Sequence, residues 1–177
     1  PLRLEWLTQV LDAYRERYAV SLPADAWHTN AFILREERGA WGAGIPAGIE
    51  ADQGIRYEVD DVADPEIFRS HILAFRTWMA ENGERSKPLI VSGYGVKMPA
   101  EYLAASVNEG DRMVRSFLLE TFEFMTTGRD ETLGYPLDEQ RLVQRWLWYS
   151  LGDQPVDLDT GEGSNGMLFS RDAEEGN

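Results

Sequence analysis

The chain contains no cysteine, and only two of its 177 residues are histidine. The first absence removes disulfide frameworks, thiolate nucleophiles and cysteine-ligated zinc together, and it leaves the compartment undecided by redox arguments. His28 and His71 are too few and too far apart in sequence to build a metal centre on, and no Gly-rich phosphate loop follows any expected strand. Neither a metal nor another cofactor is therefore expected. Basic residues are also scarce: 17 Lys and Arg stand against 31 Asp and Glu, for a net charge of −14. That balance repels phosphate backbones and anionic bilayers, so nucleic acid and membrane are not expected partners, whereas small neutral or cationic ligands stay open. No run approaches the roughly 18 consecutive apolar residues needed to cross a bilayer, and the amino terminus does not read as a signal peptide. An initial Met is missing too, and the chain enters a helical pattern directly at Pro1. From this an upstream part, absent or cleaved, is expected.

What the chain does have is enough apolar material for one globular domain over residues 1–177, with 43% hydrophobic residues, six Trp, seven Tyr and seven Phe. Leu7, Val10, Leu11, Tyr14 and Tyr18 recur at helical spacing and predict a helix over Leu2 to Tyr18. Ala26 to Leu34 reads as a strand. Arg35 to Asp64 has no period and is studded with glycine, which predicts a long loop of the kind that forms lids or binding loops, its acidic end from Glu58 to Asp64 solvated. Asp64-Pro65-Glu66 is a helix start and Asn82-Gly83 a stop, framing a helix whose apolar face carries Ile67, Phe68, His71, Ile72, Phe75, Trp78 and Met79. Lys87 to Val96 is a strand. A further loop, Lys97 to Glu109, leads to a helix with Met113, Val114, Phe117, Leu118, Phe122 and Met125 on one face, ended by Gly128. Leu142 to Ser150 is an aromatic-rich strand, and 152–177 is a polar tail except for Met167-Leu168-Phe169, which is placed to pair or tuck under something.

Strands alternating with helices of this length predict parallel crossover units and an α/β fold. A complete (β/α)8 barrel takes about 250 residues. Three units are less than half of one, so the expectation is a partial TIM barrel made of about three carboxyl-terminal strand-helix units with parallel strands. A small open α/β sheet is the second choice.

The central stretch is Lys-Pro-Leu-Ile-Val-Ser-Gly-Tyr-Gly-Val-Lys-Met-Pro, residues Lys87 to Pro99. Leu89, Ile90 and Val91 form an apolar run like that of a strand buried on both faces, followed by Ser92, Gly93 and Tyr94 where a barrel keeps its chemistry. Lys-Pro-Leu-Ile-Val-Ser, one variable residue, then Tyr-Gly resembles the seventh strand of retaining clan A glycoside hydrolases of the (β/α)8 type. Trp27-His28-Thr29-Asn30 is similar to that family's sixth strand, and Arg145 to Ser150 resembles its eighth, so the likeness covers most of the chain. It implies a barrel that hydrolyses β-glycosidic bonds with retention, a carbohydrate ligand, and remaining barrel strands supplied by upstream sequence or by another chain. It also implies substrate contacts from Trp27, His28, Asn30 and Tyr94, and a sugar floor from Trp146 or Trp148. Trp41, in the Gly-rich loop, is a candidate lid contact.

At the position of the family's nucleophilic Glu stands Gly93. Glycine has no carboxylate to attack an anomeric carbon or to stabilise an oxocarbenium-like state. The family's acid/base Glu would lie upstream of Pro1. Both carboxylates being absent from their places, the expectation is a glycoside hydrolase-like barrel portion that acts on or binds carbohydrate without catalysing hydrolysis as it stands; a non-catalytic carbohydrate-binding protein and a structural fragment are the alternatives. Gly93 itself has two readings, a vacated nucleophile position or a turn that needs positive φ. Glu36 and Glu37 are stand-in acids or solvated loop residues, His28 a ligand contact or a histidine satisfied by backbone, and His71 a packed structural residue.

Overall fold

The computed structural model describes residues 2–152, 154, 157 and 165–169, so most of the polar tail lies outside the described residues. Among the described residues four α-helices and three strands follow one another in the order α1 (Leu2–Tyr18), β1 (Trp27–Asn30), α2 (Pro65–Glu81), β2 (Leu89–Tyr94), α3 (Ala100–Leu103), α4 (Val107–Thr127) and β3 (Arg145–Trp148). The strands form one sheet in the order β1-β2-β3, and both pairings are parallel. The chain is thus a mixed α/β protein. Each expected strand is present but shortened; beyond Asn30, for example, the Ala31 amide still donates to the Gly93 carbonyl at 2.9 Å, and Ala31 and Ile33 turn into the core at 4% and 2% exposure. The four-residue α3 lies within what the sequence reads as loop, started by Pro99 at its cap position.

Local chemistry sets α2 in place. Asp64 Oδ1 accepts from the amides of Glu66 and Ile67 at 2.7 and 3.2 Å, and Pro65, which has no amide to leave unpaired, occupies the first turn. Just past the other end Gly83 takes φ +75, a conformation that side chains resist. Between these signals Phe68, Ile72, Phe75, Trp78 and Met79 are buried, each contributing about 1.5–3 kcal/mol. Helix α4 lays down the matching stripe Val114, Phe117, Thr121 and Met125. The acidic segment before α2 is more ordered than a solvated loop: a 3-10 turn spans Val59–Asp61, and Asp61 accepts from the Glu58 amide at 2.8 Å.

Both helices cover the same face of the sheet. The Trp27 ring stands edge-on to Trp78 of α2 at 5.0 Å, Tyr94 packs between Phe68 of α2 and Phe117 of α4, and Phe117 also meets Trp148. The opposite face carries His28, Asn30, Arg145 and Leu147, all exposed, with Ile90 and Ser92 half-buried. Consecutive parallel strands with their crossover helices on one side make a singly wound sheet, in contrast to doubly wound folds, where helices cover both faces.

The amino-terminal end of the sheet is closed by a buried arginine. Arg76, 0% exposed, donates to the carbonyls of Leu142 and Lys87 at 2.6 and 3.2 Å and to the Gln144 side chain. It thereby ties α2 to the entries of β2 and β3. Burial pulls its guanidinium down to about 10, still protonated at neutral pH. At the same end Trp27 Nε1 donates to Glu84, which is also ion-paired with Lys87. Of the tail, 165–169 folds back as expected for Met167-Leu168-Phe169: Asn165 pairs with Val96, and the amides of Leu168 and Phe169 donate to the carbonyls of Ser150 and Leu151.

Candidate functional site

At the carboxyl end of the sheet, β2 carries an irregularity that decides which side chains face outward. Thr29 pairs with Val91 but Asn30 with Gly93, and Val91 pairs with Trp146 but Tyr94 with Trp148. One more residue of β2 than of either neighbour is fitted into that interval, which is a bulge. Bulges break the strict alternation of a strand and re-aim side chains. Here Val91 and Tyr94 both face the helices, while Ser92 and the Cβ direction of Gly93 both turn to the open face.

The open face gathers a small polar group. Ser92 Oγ lies 3.0 Å from His28 Nδ1, 3.1 Å from Asn30 Oδ1 and 3.3 Å from the Thr29 carbonyl. A Cβ placed on Gly93 would stand 3.2 Å from Asn30 Oδ1 and 3.7 Å from the Phe32 ring. The Gly93 backbone is outside the left-handed region, so the reading that its turn demands positive φ is overturned. Gly95, two residues on, is the position without room, since a Cβ there would meet the Tyr149 carbonyl at 2.5 Å. Phe32 and Tyr149 stand edge-to-face at 6.0 Å beside this group, with Lys97 Nζ 5.2 Å from the Phe32 ring centre.

The sequence-expected residues divide cleanly. His28, Asn30 and Gly93 come together. Trp27 is in the core against Trp78, and Tyr94 is 0% exposed beside Thr121, where burial pushes its phenol far above the ordinary value. Trp146 and Trp148 face the helices: Trp146 meets Phe122, and Trp148 meets Tyr94 and donates to the Gly166 carbonyl at 2.7 Å. Their alternation was legible, but the side assigned to a sugar floor is the packed one. It is Tyr149, 43% exposed, that stays on the open side. Trp41 is half-buried against the core, with the Arg35 guanidinium 5.8 Å from its ring, and does not form a lid over the group. Sequence reasoning placed Ser92 at the strand end where a barrel keeps its chemistry but gave it no contact, and it missed Phe32 and Tyr149. A glycine inside a strand pattern is itself a bulge signal, and it was the available clue.

A cavity of about 1120 Å3 opens beside the free edge of β1, between α1, α2 and the loop through residues 43–57. Its lining includes His28 and Asn30 of β1 and an apolar wall with Leu4, Leu7 and Phe75. His71 is in this wall too, bonded at 2.9 Å to Tyr57 of the long loop rather than packed solely among apolar neighbours. Burial lowers the His71 pKa, with the Glu36 charge pulling the other way, and raises that of Tyr57, aided by Asp61 and Glu36. Glu36 is 7% exposed and ion-paired to Arg3 of α1 at 2.9 Å; Glu37 pairs with Arg35 at 3.1 Å. These acids staple the loop through their ion pairs. Compared with known proteins, the chain matches no family model, no curated protein and no solved structure.

Proposed function

We propose that this chain is a portion of a (β/α)8 barrel related to retaining clan A glycoside hydrolases, with a carbohydrate-binding face at the carboxyl ends of β1, β2 and β3 and no hydrolytic activity as it stands. One observation carries the reading. Gly93 occupies the place where the resembled family keeps its nucleophile, its backbone does not require glycine, and its missing side chain would point into the His28, Asn30 and Ser92 group. A carboxylate built there would reach the open face, where a sugar would lie. Without it, covalent catalysis through this position has no nucleophile. Tyr149 and Phe32 supply the aromatic surface on which the C–H face of a sugar ring stacks, in place of Trp146 and Trp148.

The singly wound sheet supports the barrel part of the proposal. Helix α1 packs into the same layer as α2, with Leu11 buried and Trp78 Nε1 donating to Thr8 at 2.8 Å. In a repeating strand-helix unit, a helix in this position follows a strand on the far side of β1. The cavity of about 1120 Å3 lies along that edge. Further strands, from upstream sequence or another chain, would pair there and cover the open face.

Calorimetric titration with a panel of neutral β-linked oligosaccharides tests the function. Saturable binding that is weakened about tenfold or more by Tyr149→Ala, the loss of a stacking contact, is the expected result. Heat signals at baseline for every sugar would refute the reading.

A further inference from the structure

Ser92 Oγ touches three groups, His28 Nδ1 at 3.0 Å, Asn30 Oδ1 at 3.1 Å and the Thr29 carbonyl at 3.3 Å, yet a hydroxyl carries one hydrogen. The Thr29 carbonyl is an acceptor in every arrangement, and Asn30 Oδ1 is one as placed. Were Ser92 to donate to Nδ1, both of those oxygens would face its lone pairs. Turning the Asn30 amide over relieves one conflict and leaves the other. If Nδ1 donates to Ser92, the single hydroxyl hydrogen is left to be shared between the two oxygens in a three-centre bond, and neither of them is left facing lone pairs alone.

We propose that Ser92 is a positioning residue that holds His28 as the Nδ1–H tautomer, so that Nε2 meets the ligand as a hydrogen-bond acceptor. A neutral imidazole has a hydrogen on one nitrogen only, so fixing Nδ1 as donor fixes Nε2 as acceptor. Asn30, its Oδ1 committed to Ser92, offers amide hydrogens. One acceptor beside a pair of donors complements neighbouring hydroxyl groups, each of which both gives and takes a hydrogen bond. A carboxylate or phosphate, which only accepts, gains nothing from Nε2. Through Nε2 the site therefore favours neutral polyols over anionic ones. This ligand assignment rests on the carbohydrate reading above; the tautomer does not.

The test is nitrogen-15 NMR of the His28 ring near neutral pH in the full chain, wild type, Ser92→Ala and Ser92→Thr. The expected result is an Nδ1–H ring in the wild type and in Ser92→Thr, and loss of that preference in Ser92→Ala. An Nε2–H ring in the wild type overturns the proposal without reference to any variant, and so does a ring unchanged in a folded Ser92→Ala protein. Titration with neutral and uronate oligosaccharides then reads the ligand class. Neutral binding that falls about tenfold in Ser92→Ala and returns in Ser92→Thr supports it; preferential uronate binding overturns it. Absence of binding by any sugar, with the Nδ1–H ring intact, removes the carbohydrate reading and with it the ligand class, while the positioning role stands.

Discussion

The Cβ direction of Gly93 ends 3.2 Å from Asn30 Oδ1, on the face of the sheet that no helix covers. That distance is tight but met by the end of a side chain rather than by backbone, so a small turn of Asn30 makes room. Gly110 is the opposite case: a Cβ there would lie 2.1 Å from the Ala100 carbonyl, where α3 abuts α4. We therefore expect Gly93→Glu to cost clearly less stability than Gly110→Ala, which should lose about 3 kcal/mol or more. Urea unfolding followed by circular dichroism distinguishes them.

The two aromatic neighbours at the end of β3 should separate just as sharply. Trp148 packs on Tyr94 with ring centres 5.1 Å apart and donates to the Gly166 carbonyl, whereas Tyr149 is 43% exposed. Trp148→Ala is expected to lose about 3–5 kcal/mol of folding stability. Tyr149→Ala, which loses the edge-to-face contact with Phe32, should cost only about 1 kcal/mol and show its main effect on ligand affinity. A reversed pattern would mean that the faces of β3 are misassigned.

Arg76 is buried with no carboxylate among its hydrogen-bond partners in the described residues, its hydrogens going to the Leu142 and Lys87 carbonyls and to Gln144. Arg76→Met keeps volume but strands those acceptors in the interior. A loss of about 3 kcal/mol is expected, visible as a lower midpoint in thermal unfolding. The change lies at the amino-terminal end of the strands, so it should leave the His28 ring and any ligand affinity unaltered in the folded protein.

Acid should weaken the fold in two windows. His71 has its folded pKa lowered by burial, so below its ordinary value of 6.5 the unfolded chain takes up a proton that the folded chain resists, and stability falls with pH from there until the folded pKa is reached. Asp130 and Asp138 are also lowered, chiefly by hydrogen bonds from Thr132 and Arg141, but as acids they hold their contribution above 3.8 and lose it as pH drops through their folded values. Comparing urea midpoints at about pH 7.5 and about pH 5.5 isolates the histidine. The wild type should lose more than His71→Gln; equal losses would show that the imidazole is not involved.

Helices and strand order were legible in the sequence because they rest on local signals. Asp64-Pro65 capped α2 as its chemistry requires, the apolar spacing of α2 and α4 placed their buried stripes, and alternation of strand and helix gave parallel pairing. The site was legible only in part, because one extra residue in β2 reverses sides. Strict alternation carries Gly93 to the helix face and Tyr94 to the open one, whereas the bulge puts Gly93 outward and buries Tyr94. Register across neighbouring strands determines this, and its local sign is the glycine inside the strand pattern, which marks a bulge without saying which way the side chains turn. For β3 the alternation was right, but which side faces the helices depends on Phe117 and Phe122 of a distant segment.

The most direct measurement of the central claim is the amide NMR spectrum of the whole chain during titration with the oligosaccharide that binds best. The account predicts shifts that saturate together and are confined to the carboxyl end of the sheet, at His28, Asn30, Phe32, Ser92, Gly93 and Tyr149. Shifts centred instead on the Arg76 and Gln144 end, or none at saturating sugar, would contradict it.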